Sequence, residues 1–273
     1  MRRHTCMCIK TYIHKLSSDM GANMGFPVST EKPYSNDLFP FLSLLFFFTV
    51  GHGQSEGERM NIKDFQIYVR DSLQHIDLMK SRHPDLPVFI VGHSMGGAIS
   101  ILTACERPSE ISGVVLIGPM VQMNPESATP FKVFVAKLLN HMMPSLTLGS
   151  IESRWVSRDK TQVEAYDNDE LNYHGRLRVS FGIQLMGAAE RIEREIPSIS
   201  WPFLILHGDD DKLCDIRGSK MMHEKAASSD KKLKVGYFDC LFQNLMTVFL
   251  FIYNFIFHIF NISFKFTRCT TKF

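Results

Sequence analysis

The chain has 273 residues, 45% of them hydrophobic and 21% charged, which suits one large α/β domain with an ample core. A formal charge of +2 gives no electrostatic case for nucleic acid or for an acidic ligand. The six cysteines are scattered without C-x-x-C pairs or a secretory N-terminus, which points to a reduced, cytoplasmic setting, and the 11 histidines show no metal-ligand spacing.

Residues 1–49 differ in character from the middle of the chain. Residues 1–33 are polar and show no sustained period, and 39–50 are apolar (Phe39-Pro-Phe-Leu-Ser-Leu-Leu-Phe-Phe-Phe-Thr-Val50). That apolar run falls short of the roughly 20 residues a bilayer span takes. It reads as a buried strand or an irregular apolar segment. Gly51-His-Gly-Gln-Ser-Glu-Gly57 is a glycine-rich loop whose spacing does not match a dinucleotide fingerprint. Residues 61–82 then place Ile62, Phe65, Val69, Leu73, Ile76 and Leu78 at helical spacing, before His83-Pro84 stops the helix.

Four apolar residues, Val88 to Val91, run into Gly92-His-Ser94-Met-Gly96, and a small-residue apolar segment comes next. Short apolar run, glycine turn and helix make the setting in which G-x-S-x-G presents a nucleophile. A serine forced into so sharp a turn needs neighbours without side chains, and the helix behind it favours developing negative charge. Ser94 is therefore the candidate nucleophile. Gly113-Val-Val-Leu-Ile-Gly-Pro119 reads as a second buried strand, so residues 87–119 form a strand–helix–strand unit of a parallel sheet.

Residues 124–200 break that rhythm. Phe131, Phe134, Val135, Leu138, Leu139 and Met142 share one broad face of a helix over 131–143, and a further helix runs through 181–193. This insertion reads either as a lid over an apolar pocket or as an ordinary helical subdomain. Trp201-Pro-Phe-Leu-Ile-Leu-His-Gly208 resumes the sheet, and its loop carries Asp209, Asp210 and Asp211. An acid downstream of a serine elbow fits the order Ser, Asp/Glu, His. Residues 221–229 read as a helix and 232–237 as the next strand. Residues 240–264 contain no charge and are long enough for a tilted membrane span, although Gln243, Asn244, Asn254, His258 and Asn261 interrupt them.

The strings Val50-Gly-His-Gly-Gln-Ser-Glu-Gly-Glu-Arg-Met60, Gly92-His-Ser94-Met-Gly-Gly97, Asn124-Pro-Glu-Ser-Ala-Thr129, Phe181-Gly-Ile-Gln-Leu185 and Leu213-Cys-Asp215 resemble the monoacylglycerol lipase family of the α/β-hydrolase superfamily. The resemblance covers about residues 50–234. It implies an α/β-hydrolase core with a helical cap at about 123–200, flanked by divergent segments at 1–49 and 235–273. It further implies cleavage of monoacylglycerols, such as 2-arachidonoylglycerol, to fatty acid and glycerol. No cofactor would be needed, and the cap would meet the membrane surface from the cytoplasm. By the same resemblance Ser94 is the nucleophile, Asp211 the triad acid and the Met95 backbone N–H an oxyanion donor.

Two family features are missing. Phe48-Thr49 stand where the family has Asp-His, and residues 1–49 contain nothing like its H-G-x-G-E-H oxyanion loop. No triad histidine is identifiable either: a gap-free count places Leu241 at its position, while His223 and His258 lack the expected context. The sequence therefore sets a second expectation beside the first, a splice-variant-like, catalytically inactive chain that at most binds lipid or a partner. A nucleotide-binding protein is disfavoured, because no phosphate-cradling loop with a lysine is present. The first strands of the family's sheet should be absent or poorly replaced, and Ser94 and Asp211 should lie at the ends of neighbouring strands.

Overall fold

The computed structural model describes residues 9–14, 42–47, 49–122 and 146–236. Among the described residues six strands form the main sheet: β1 (Ile9–His14), β2 (Leu42–Phe47), β3 (Val88–His93), β4 (Ile111–Ile117), β7 (Phe203–Gly208) and β8 (Lys231–Gly236). Their spatial order is β2-β1-β3-β4-β7-β8. The pairs β3–β4, β4–β7 and β7–β8 are parallel, whereas β1 is antiparallel to both β2 and β3. The parallel sheet expected from residues 87–119 is present.

The N-terminal region departs from the parallel pattern of the rest of the sheet. Residues 1–49 supply two strands, with Ile9 opposite Gly92 and Phe47 opposite Ile9. Ile9-Lys-Thr-Tyr-Ile-His14 is rich in β-branched and aromatic residues, a local preference for extended backbone hidden inside a polar stretch.

The central strands are continuous apolar runs because both of their faces are covered. Val88 to Val91, Val114 to Leu116 and Phe203 to Leu206 are almost fully buried. Helix α2 (Met95–Glu106) lies against β3 and β4 and is in turn covered by α1 (Gln66–Arg82) and α4 (Val179–Glu195). That position explains why ten of its residues, Met95 to Ala104, are buried. Strand β8 is the contrast, a lysine-rich sequence of intermediate to exposed residues and the last strand of the sheet among the described residues.

Two helix starts differ from their sequence-based limits. The helix expected from residue 61 begins at Gln66, after a turn in which Asp64 Oδ1 accepts the Gln66 N–H at 2.9 Å. The helix expected over 221–229 is α5 (Ile216–Lys225), started by Asp215, whose Oδ1 accepts the Arg217 N–H at 2.9 Å. Between β4 and β7 lie β5 (Thr147–Leu148), α3 (Lys160–Asp167), capped by Asp159, β6 (Leu177–Arg178), which pairs antiparallel with β5, and α4. The helix expected over 131–143 and the stretch 240–264 lie outside the described residues. Among the described residues no helix is long and apolar enough to cross a membrane.

Candidate active site

Ser94 sits between β3 and α2 with φ 53° and ψ −119°, a left-handed conformation that side chains rarely adopt. Its neighbours make the turn sterically accessible. A Cβ on Gly92 would fall 2.3 Å from both the Gly96 carbonyl oxygen and Ser100 Oγ, and one on Gly97 would fall 2.7 Å from Pro119 Cβ. Backbone bonds hold the strained residue in place. The Ser94 N–H donates to the Ile117 carbonyl at 3.1 Å, while the Ser94 carbonyl accepts from Gly97, Ala98 and Met120. A strained conformation of this kind costs about 1–3 kcal/mol and persists only when its surroundings over-determine it. Met95 opens α2, so its N–H belongs to the first helical turn, whose amides have no acceptor within the helix.

The acid loop after β7 sorts its three aspartates. Asp209 and Asp210 are about half exposed and face Arg158 at 3.5 and 3.1 Å, with Lys212 also paired to Asp210. The Asp211 side chain is only 23% exposed and turns inward. Its Oδ1 accepts the backbone N–H groups of Leu213 (2.8 Å) and Cys214 (2.9 Å). Its Oδ2 is directed over the end of β4, 3.0 Å from where a Cβ on Gly118 would lie, and Gly118 holds φ +45° there. Glycine is the residue that leaves room for that oxygen.

The elbow and the acid loop meet at Cys214. Its Sγ lies 3.6 Å from Ser94 Oγ, within reach of a weak hydrogen bond in either direction, while its backbone N–H is held by Asp211. Ser94 and Asp211 do not lie on neighbouring strands, however: β4 runs between β3 and β7. The expectation of adjacent strand ends fails because the sheet inserts the strand after α2 before it returns from the helical segment. Among the described residues the side-chain partner of Ser94 is this thiol, and no imidazole bonds to its hydroxyl. His223 lies in the last turn of α5; His258 and Leu241 are outside the described residues.

Sequence reasoning missed one residue of this cluster. His207 ends the apolar strand β7 and is fully buried. Its Nδ1 is 2.7 Å from Ser219 Oγ, and its Nε2 is 3.2 Å from the Cys214 carbonyl and 3.6 Å from Asp211 Oδ2. Burial drives the ring's pKa below the usual 6.5, against the opposing pull of Asp211, so the imidazole is neutral near pH 7. The available signal was a lone polar residue in a run whose two faces are both covered.

The glycine-rich loop reads as structure. Gly51, Gly53 and Gly57 take positive φ, and the His52 Nδ1–H donates to the Val50 carbonyl at 3.1 Å. The His52 ring packs edge-on against Tyr68, and burial lowers its pKa too. Among the described residues no group of His, Cys, Asp and Glu is arranged to hold a metal ion.

Comparison with known proteins adds an independent line. The Hydrolase_4 family (serine aminopeptidase, S33) matches residues 46–237. Human monoglyceride lipase is 55% identical over 186 residues, which are 68% of this chain and 61% of that protein; the chain thus spans about three-fifths of this relative's length. A monoacylglycerol lipase from Mycolicibacterium smegmatis is 34% identical over 185 residues, 68% of this chain and 66% of the relative. The crystal structure of Paleococcus ferrophilus monoacylglycerol lipase superposes with a TM-score of 0.66 at 26% identity, covering 82% of this chain and 84% of the other. The α/β-hydrolase fold, with its parallel sheet and flanking helices, follows from these matches together with the topology above.

Proposed function

The chain belongs to the Hydrolase_4 family, and from that premise we propose that it is a serine ester hydrolase of the monoglyceride lipase type, built to act on monoacylglycerols such as 2-arachidonoylglycerol. The observation that carries this reading is the Ser94 elbow, a strained serine between a buried strand and a helix, joined through Cys214 to an inward-turned aspartate. Similarity to the lipases of human and M. smegmatis supports the substrate class.

In the proposed reaction Ser94 Oγ attacks the ester carbonyl carbon as its proton passes to a base. The carbonyl oxygen becomes an oxyanion that accepts the Met95 N–H. Collapse of the tetrahedral intermediate breaks the ester C–O bond, and the glycerol oxygen leaves with the base's proton. Water then hydrolyses the acyl-serine to free fatty acid, restoring the hydroxyl. Asp211 is the acid that would orient and stabilise the protonated base. No described imidazole occupies the base's place beside Ser94, so the chain's own turnover is set by the elbow, the acid and the oxyanion donor. Its rate should lie close to background. Residues 50–234 form the hydrolase core in this reading, with the cap at about 123–200 bringing the site to a membrane surface from the cytoplasm.

The test compares substrates on a chain carrying Leu241→His. Release of fatty acid from monoacylglycerol vesicles, with no cleavage of aminoacyl anilides, is the expected outcome. Cleavage of the anilides and not of the lipid would replace the ester reading with a peptidase one. Binding of the lipid without release in any variant would leave a lipid-binding module.

A further inference from the structure

The ring of His207 bonds to the Cys214 carbonyl and approaches Asp211, and simple hydrogen-bond chemistry fixes which nitrogen carries its proton. The Cys214 carbonyl can only accept, so Nε2, 3.2 Å away, must be the N–H donor. In a neutral ring Nδ1 is then bare, and the Ser219 hydroxyl, at 2.7 Å, donates to it. Ser219 is itself fully buried on α5, so the ring is clamped between a helix and the loop. The same Nε2–H lies 3.6 Å from Asp211 Oδ2, the oxygen that the backbone amides of Leu213 and Cys214 leave uncommitted.

We propose that His207 is the positioning residue of the acid loop: its Nε2–H holds the Cys214 carbonyl and faces Asp211 Oδ2, so that one neutral ring sets both the thiol beside Ser94 and the free oxygen of the acid. The arrangement works in one tautomer only. With the proton on Nδ1, Nε2 would turn a lone pair towards a carbonyl and a carboxylate, and both contacts would become repulsive. The charged groups that act on the ring are the carboxylates of Asp211 and Asp215, and burial outweighs their pull. The ring is a brace and takes no part in proton transfer with Ser94. This inference rests on the reading of Asp211 as the acid, but its test does not depend on turnover.

The experiment uses the full chain. Imidazole ¹⁵N NMR at neutral pH should show His207 with a protonated Nε2 and a bare Nδ1, and Ser219→Ala should shift the Nδ1 resonance. In parallel, alkylation of Cys214 by iodoacetamide, followed by peptide mass spectrometry, reads the loop's geometry. His207→Gln keeps a donor for the Cys214 carbonyl and should leave the alkylation rate within about twofold. His207→Leu removes the donor and should raise the rate about tenfold or more, the change expected when roughly 1.4 kcal/mol of loop restraint is lost. A ring protonated on Nδ1, or on both nitrogens, overturns the proposal. So does equal alkylation in the Gln and Leu variants. If the Leu variant does not fold, the wild-type tautomer and the Gln variant still decide. Absence of ester hydrolysis from the Leu241→His chain, with the tautomer as proposed, would sink the hydrolase reading and leave the brace standing.

Discussion

The elbow loop and the acid loop sit at the same end of the sheet, yet they are held by different means. Ser94 is fixed by what its neighbours lack: glycines at 92 and 97 give the backbone room to take φ 53°. Asp211 is fixed by what its neighbours offer: two backbone N–H groups, the cleft over Gly118 and the His207 ring. The first is a steric device and the second a polar network. A steric device is local in sequence, whereas a polar network draws on residues from two strands, a loop and a helix.

The comparison can be broken first at the elbow. Gly92→Ala drives a Cβ against the Gly96 backbone and Ser100 at 2.3 Å, and should lower unfolding stability by about 3 kcal/mol in urea titration. The same substitution at a glycine with open surroundings, Gly182 or Gly187 on α4, should not destabilise the fold.

The acid loop should instead reveal itself through pH. Burial lowers the folded-state pKa of His207, and of His52 in the glycine-rich loop, below 6.5. Each contribution is therefore fully present above pH 6.5. It is lost as the pH falls below 6.5 towards the lowered folded value, because the unfolded chain takes up the proton first. Stability should fall by up to about 1.4 kcal/mol per pH unit for each ring in that window. His207→Gln should remove one share of the slope; an unchanged slope would mean that the ring does not titrate with folding.

A smaller effect returns to the elbow. Ser94→Gly relieves the left-handed strain and should stabilise the chain by about 1 kcal/mol in thermal unfolding, while removing the candidate nucleophile. A Ser94→Gly chain less stable than the native one would show that the serine side chain, through Cys214, contributes more than its backbone costs.

The same contrast explains what could be read from the sequence. Gly92-His-Ser94-Met-Gly96 between an apolar run and a small-residue helix places the elbow, because steric demands are written in adjacent residues. Strands β3, β4 and β7 are legible from their apolar runs. Of three consecutive aspartates, spacing alone could not choose, since Asp209 and Asp210 are taken by Arg158 and Lys212 from elsewhere in the chain. Family resemblance singles out Asp211, and its inward turn is visible only in three dimensions. His207 escapes a sequence reading because a histidine ending a buried strand gives no sign of the helix serine and loop carbonyl that fix it. Strand β1 escapes it because its extended preference is surrounded by polar residues, and its pairing with β3 is remote in sequence. The order β3-β4-β7 is likewise not written in the loops, because it is set by strand pairings remote in sequence.

The central proposal is that Ser94 and Asp211 are the nucleophile and acid of an ester hydrolase, with no base beside Ser94 among the described residues. The most direct measurement is the rate of monoacylglycerol hydrolysis by the chain, by its Leu241→His variant and by that variant with Ser94→Ala added. The chain itself should stay near background. The histidine should raise the rate about 100- to 10,000-fold, the usual worth of a positioned general base. Removing Ser94 should return it to background. Equal rates in all three, or activity that survives Ser94→Ala, would contradict the account.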